Sequence, residues 1–228
     1  MAAASGAFGA FGKIPALGDF FRFGMAPGFV AAWDDWLQRG ILAGRDRLGE
    51  GWQDCYMTAP IWRFALAPGL AGAEAALGVM MPSVDRVGRQ FPLTLAATLT
   101  EGVDPVATHF AAEGCFHALE TLALEALDDL PREGLVERLA AIAAPSAPAP
   151  GQVVMAPGRA LVSDAGPEGG LPHLAARCLG RDFRAPSVWS AQGEGGTRLM
   201  ILEGMPDEAA TVGLFDPNAA IWQKREAA

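Results

Sequence analysis

Lysine is nearly missing from this chain: among 228 residues it occurs only at Lys13 and Lys224. Arginine carries almost all the positive charge, and acids outnumber bases, leaving a formal net charge of −9. Nucleic-acid affinity comes mainly from neutralising phosphates with Lys and Arg, and no cluster of basic residues is present to do so. Cysteine is also scarce. Cys55, Cys115 and Cys178 are odd in number, far apart and form no CxxC pair, which excludes a zinc ribbon or a thioredoxin-type site. Isolated cysteines of this kind behave as small buried hydrophobes and fit a reducing compartment. Met1 to Gly6 carries no basic residue ahead of an apolar run, so no secretory signal is expected. The longest charge-free stretch, Ala140 to Gly158, is interrupted by Pro145, Pro148, Pro150 and Pro157. A membrane helix needs about 20 mostly apolar residues without such breaks. The expectation is a cytoplasmic protein.

What is present is globular in character, with 51% hydrophobic and 19% charged residues. The length suits one large domain, or one domain with a small appendage. Ala7 to Lys13 reads as a first strand, followed by a tight loop punctuated by Gly12, Pro15 and Gly18. Phe29 to Arg45 is the clearest helix, because Phe29, Trp33, Trp36, Leu37 and Ile41 recur at helical spacing. That spacing predicts a tryptophan face packed on a sheet. Ile61 to Ala67, Gly78 to Met81 and Phe91 to Leu99 read as strands, the last from its period-two alternation.

Val106 to Leu130 reads as one helix broken by Pro131, and Glu133 to Ala143 as a shorter one. A Pro/Ala-rich linker is expected at 145–151. It divides a core at 1–144 from strands and short helices at 152–228 that complete the same domain. Short strands are expected at Val153 to Met155, Ala160 to Val162, Val188 to Ser190 and Arg198 to Leu202. Helical turns are expected at Leu174 to Leu179 and Asp207 to Leu214. Strands occur both in adjacent groups and separated by helices, which argues for an α/β fold with a mixed, partly antiparallel sheet.

Chemical motifs are few. Gly6, Gly9 and Gly12 suggest a phosphate loop, but Ala7 stands where its first glycine belongs, and Ile14 replaces the metal-binding Ser/Thr. His109, Glu113 and His117 are four residues apart and could share a helix face, yet they do not form HExxH, and a solvated helix face is the reading preferred. No GxSxG elbow is present, so a hydrolase using Cys55, Cys115 or Ser83 is the weakest alternative. No metal and no cofactor are expected.

Two segments stand out. One is Gly12-Lys13-Ile14-Pro15-Ala16-Leu17-Gly18-Asp19-Phe20; the other runs Met81-Pro82-Ser83-Val84-Asp85-Arg86-Val87-Gly88-Arg89-Gln90-Phe91-Pro92-Leu93. In the second, Ser83 or Asp85 is placed to cap a turn, and Asp85 to pair with Arg86 or Arg89. The segment is either a connection whose ions satisfy each other or a recognition loop on a rigid sheet. On the second reading the candidate partner-binding residues are Ser83, Asp85, Arg86, Arg89, Asp19 and Phe20.

These segments, together with the Trp33–Trp36 helix and Ala59-Pro60-Ile61-Trp62-Arg63-Phe64, resemble in order and spacing the TagF (ImpM-type) family of bacterial type VI secretion accessory proteins. The resemblance is strong over roughly the first hundred residues and continues in outline through Ser187-Val188-Trp189 and Leu199 to Leu202. It implies a three-layer α/β/α sandwich with helices on both faces. It also implies a non-catalytic, post-translational repressor acting through the forkhead-associated scaffold Fha. Some members are fused to a PppA-type phosphatase domain, for which this chain offers no second domain of sufficient length. The alternative within the same system is a structural or assembly subunit.

Overall fold

The computed structural model describes residues 6–128, 130–145, 154–156, 160–162, 166–193 and 196–223, with backbone alone through 169 in the segments beyond 145. In chain order the elements are β1 (Gly9–Gly12), β2 (Phe21–Phe23), α1 (Pro27–Leu48), α2 (Trp52–Thr58), β3 (Trp62–Leu66), β4 (Ala76–Met81) and β5 (Leu93–Thr98). There follow α3 (Pro105–Ala111), α4 (Glu113–Glu125), α5 (Arg132–Ala141), β6 (Val154–Ala156), β7 (Ala160–Val162), α6 (Gly166–Leu179), β8 (Pro186–Gly193), β9 (Gly196–Glu203) and α7 (Glu208–Phe215).

Seven strands form one sheet in the order β2-β1-β5-β4-β3-β8-β9, and β6 pairs with β7 in a separate two-stranded sheet. Every pairing is antiparallel. This corrects the expectation of a mixed sheet. The helical segments connect β2 to β3 and β5 to β8, and neither pair is adjacent in the sheet. Helices between strands therefore create no parallel crossover here, whereas adjacent strands joined without a helix pair antiparallel.

The strands alternate between two apolar clusters. Phe11, Phe64, Leu66, Met80, Ala96 and Trp189 pack with Phe29, Trp33, Trp36 and Leu37 of α1, Trp52 and Tyr56 of α2, and Leu214 and Phe215 of α7. Ala10, Ala65, Leu77, Val79, Leu93 and Leu95 pack with Phe116, Leu119 and Leu122 of α4 and Leu135 and Leu139 of α5. The first cluster is aromatic and the second mostly aliphatic. Trp33 lies at the centre of the first, with ring centroids 4.8 Å from Trp36 and 4.6 Å from Phe64, and its indole N–H donates to Thr94 Oγ1 at 2.9 Å. The expected tryptophan face is thus packed on the sheet.

The stretch expected as one helix from Val106 is two. Asp104 caps α3 by accepting from the backbone N–H groups of Val106 and Ala107. The chain then leaves helical geometry at Ala112, with φ −94° and ψ 27°. No Gly or Pro causes this break. α3 packs mainly against α6, β8 and β3, whereas α4 packs against β4, β5 and α5; the two share β4 and settle towards opposite ends of the sheet. The sequence pattern also misses β2 and α2, and it recovers only the end of α6, whose interior contains Pro172. Of the linker expected at 145–151, residues 146–151 lie outside the described residues. Among the described residues no helix is long and apolar enough to cross a membrane.

Candidate functional site

The two segments singled out in the sequence meet at one end of the sheet. β1 ends at Gly12, where φ is +137° and an added Cβ would lie 2.0 Å from the Pro92 carbonyl oxygen. Only glycine permits that approach, and it brings Lys13 beside the 83–91 segment. That segment is a narrow hairpin. Val84 bridges Gln90, the Asp85 N–H donates to the Arg89 carbonyl at 3.1 Å, and the Gly88 N–H donates to the Asp85 carbonyl at 2.8 Å. Gly88 has φ +82°, the left-handed conformation that closes such a turn.

Asp85 is the centre of this structure. Its Oδ2 receives Lys13 Nζ at 2.9 Å and Arg89 Nε at 2.6 Å. Its Oδ1 receives the backbone N–H groups of Val87 at 3.1 Å and Arg89 at 2.9 Å. Burial opposes the charged form, but these donors outweigh it and hold the carboxyl well below the usual carboxylate range. Arg89 also donates through Nη2 to the Gly18 carbonyl at 2.7 Å, and the Arg86 N–H donates to the Leu17 carbonyl at 3.0 Å. The 13–20 loop and the hairpin are therefore bonded into one unit. Beneath it, Tyr56 Oη donates to the Ser83 carbonyl at 2.7 Å and accepts from the Ser83 N–H at 3.1 Å. Trp52 Nε1 donates to Gln90 Oε1 at 2.7 Å.

The six sequence-predicted residues are brought together but divide into two kinds. Ser83 and Asp85 are 1% and 2% exposed and build the loop from within. Arg86, Arg89, Asp19 and Phe20 lie at the surface. Phe20 packs its ring against Phe91 at 4.8 Å and Phe11 at 5.8 Å, with Lys13 Nζ 5.2 Å from its centroid, yet remains 45% exposed. Asp19 Oδ1 accepts from the Phe20 N–H. The pairing left open by the sequence is decided for Arg89. Among the described residues the Arg86 guanidinium has no ion pair and no hydrogen bond. Lys13, Tyr56 and Val87 were missed as site residues. The signal for Lys13 was present, since it is one of two lysines and lies inside a quoted segment.

A second polar cluster lies across β3, α3, α4 and β8. Arg63 donates through Nε and Nη2 to Glu120 at 2.6 and 2.9 Å and through Nη1 to Glu113 at 2.6 Å. Its guanidinium also stands 5.3 Å from the Phe116 centroid. His109, expected on a solvated face, is only 4% exposed. The break at Ala112 turns it inward, where Nε2 lies 2.9 Å from Ser190 Oγ and Nδ1 has no hydrogen-bond partner among the described residues. Burial and the neighbouring Arg63 charge lower its pKa to about 3. Glu113 and His117 remain exposed, so the three residues do not converge. Among the described residues no group of three or more His, Cys, Asp or Glu side chains is arranged to hold a metal.

A histidine touching a serine is the geometry that would favour a nucleophilic enzyme. Here burial makes the imidazole a weak base, and among the described residues no carboxylate meets Nδ1 to orient it. Burial raises the Cys115 thiol to about 11 and also raises Cys55, which disfavours thiolates. A broad groove of about 950 Å³ between α1 and α7 is lined by Trp36, Arg39, Arg47, Asp207 and Glu208, away from all six predicted residues.

The family profile described as "TagF N-terminal domain, Type VI secretion system-associated" matches residues 9–142, a span that contains the Asp85 loop and the Arg63 carboxylate partners. The crystal structure of PA0076 from Pseudomonas aeruginosa PAO1 is similar over almost the whole molecule. It has a TM-score of 0.79 and 34% sequence identity, covering 97% of this chain and 100% of that one. Comparison with curated proteins gives no match.

Proposed function

The chain belongs to the TagF family of type VI secretion-associated proteins, and from that premise we propose that it is a cytoplasmic, non-catalytic regulator of the secretion machine. It represses assembly after translation by binding a protein partner, the forkhead-associated scaffold Fha. The observation that carries this reading is the Asp85 loop. Its carboxylate takes four donors from three residues, so the loop is held in one shape before any partner arrives. Binding by a preformed surface avoids the entropy of ordering a loop. The side chains displayed include Arg86, Arg89 and Phe20, and arginine and aromatic residues are the types that dominate interface energetics. The two apolar clusters, each joining one set of strand residues to its own helices, support a three-layer α/β/α architecture beneath that surface.

The test is capture of Fha from the native cytosol by the intact chain. Wild type is expected to retain Fha, and Arg86→Ala with Val87→Ala to lose it while the thermal midpoint stays near wild type. Secretion should be released from repression in the same variant. Retention of other components of the machine without Fha would replace this reading with that of an assembly subunit.

A further inference from the structure

Resting on the reading of the 83–89 loop as the partner surface, we propose that the segment it takes is an acidic stretch of protein whose carboxylate pairs with Arg86 and whose apolar side chain covers Val87 and Phe20. The charges at the site point this way. Lys13, Arg86 and Arg89 are three cations set against two anions, Asp85 and Asp19, so the site is locally positive on a chain whose net charge is −9. Lys13 and Arg89 are already committed to Asp85. Arg86 is the uncommitted cation, exposed and without a side-chain partner among the described residues.

Its position is nevertheless defined. The Arg86 backbone is held by Leu17, and its guanidinium lies over Gly18, where an added Cβ would come within 3.2 Å of Nη2. A planar guanidinium lying over a glycine, with its N–H groups unused among the described residues, suits a two-oxygen acceptor. One free arginine matches a carboxylate, whereas recognition of phosphorylated segments uses arginine clusters. Val87 is 70% and Phe20 45% exposed, so the loop unit presents apolar surface as well as the unused guanidinium. An acidic residue with an apolar neighbour satisfies both features.

The experiment places a photo-crosslinking phenylalanine analogue at Val87 of the intact chain, with a second position at Leu42 on α1 as control. After irradiation in the native cytosol, the attached peptide is sequenced. The proposal expects a peptide from one protein with clustered Asp or Glu beside a large apolar residue. It also expects Arg86→Glu to cut the yield about tenfold or more, Arg86→Lys to keep a substantial part of it, and reversal of the partner acid to Arg to restore capture by Arg86→Glu. A crosslinked peptide that lacks acids or is phosphorylated, or a yield unchanged by Arg86→Glu, overturns the acidic-segment inference while leaving the loop as a contact surface. Crosslinks from Leu42 but none from Val87 overturn the loop reading itself, and this inference with it. Because Arg86 makes no ion pair among the described residues, each Arg86 variant is expected to keep the wild-type midpoint, and a shift of several degrees would itself count against the assignment.

Discussion

Two ion clusters in this molecule are opposite in charge arrangement. Around β3, the cation Arg63 is held between the anions Glu113 and Glu120; at the end of the sheet, the anion Asp85 is held between the cations Lys13 and Arg89. In both, the central ion is buried and has one enclosed and one exposed partner. The Arg63 side chain is 11% exposed, with Glu120 at 17% and Glu113 at 76%; that of Asp85 is 0% exposed, with Lys13 at 8% and Arg89 at 61%. The difference lies in what is left over. All three guanidinium nitrogens of Arg63 are used, so that cluster fastens α4 to the sheet. The Asp85 cluster fastens two loops to each other and leaves the neighbouring Arg86 guanidinium without a partner among the described residues. A charge that is fully committed builds structure, and one that is held in place but unpaired is available to a partner.

The scale for testing this contrast comes from a site in neither cluster. Trp33→Ala removes the centre of the aromatic cluster and should cost about 3–5 kcal/mol, read by denaturant unfolding. Arg63→Ala follows. It leaves Glu120 partly buried without its cation and should destabilise by about 3 kcal/mol. Arg63→Met with Glu120→Leu should recover most of that loss, because an apolar pair removes both desolvated charges. A cost for Arg63→Ala below about 1 kcal/mol would place the cluster among surface ion pairs and erase the contrast.

Acid separates the clusters further. His109 has its pKa lowered from 6.5 to about 3, so between those values the unfolded chain holds a proton that the folded one does not. Stability is therefore full above pH 6.5 and falls as pH drops towards 3, by up to about 1.4 kcal/mol per pH unit. His109→Gln should flatten that limb in a pH series of unfolding curves. The lowered Asp85 carboxyl contributes stability above its ordinary value of 3.8 and loses it only on further acidification. Acid should thus weaken the His109 region before the Asp85 loop. The smallest effects distinguish the two arginines of one hairpin. Arg89→Ala takes one cation from the buried Asp85 carboxylate, which keeps Lys13 and two backbone N–H donors, and should cost about 1–2 kcal/mol, whereas Arg86→Ala should stay within about 0.5 kcal/mol yet weaken partner capture more.

Much of the architecture was legible from local patterns. α1 announced itself because five large apolar residues repeat at helical spacing and all are buried in the structure. β5 did so by alternation, with Leu93 and Leu95 on the aliphatic side and Ala96 on the aromatic side. β2 and α2 were not legible, since three residues of strand and seven of helix are too short to display a period. The candidate site was legible as two unusual segments, but not as a buried acid with an exposed arginine beside it. Ser83 and Asp85 look like surface residues in sequence, and only packing on Tyr56 and Lys13 takes them inside.

By itself, then, the sequence determined the family, the main helices and strands, and the two segments that form the loop unit. Each of these is written in residues near one another along the chain or in motifs with fixed spacing. Only the tertiary structure decided that the sheet is wholly antiparallel, that the helix after Asp104 breaks at Ala112 and turns His109 inward, and that Asp85 takes Lys13 and Arg89 while Arg86 stays free. The physical reason is common to all three. Strand order, helix direction and ion pairing depend on which distant surfaces meet, and Lys13 and Asp85 come within 2.9 Å of each other only because β1 and β5 lie side by side.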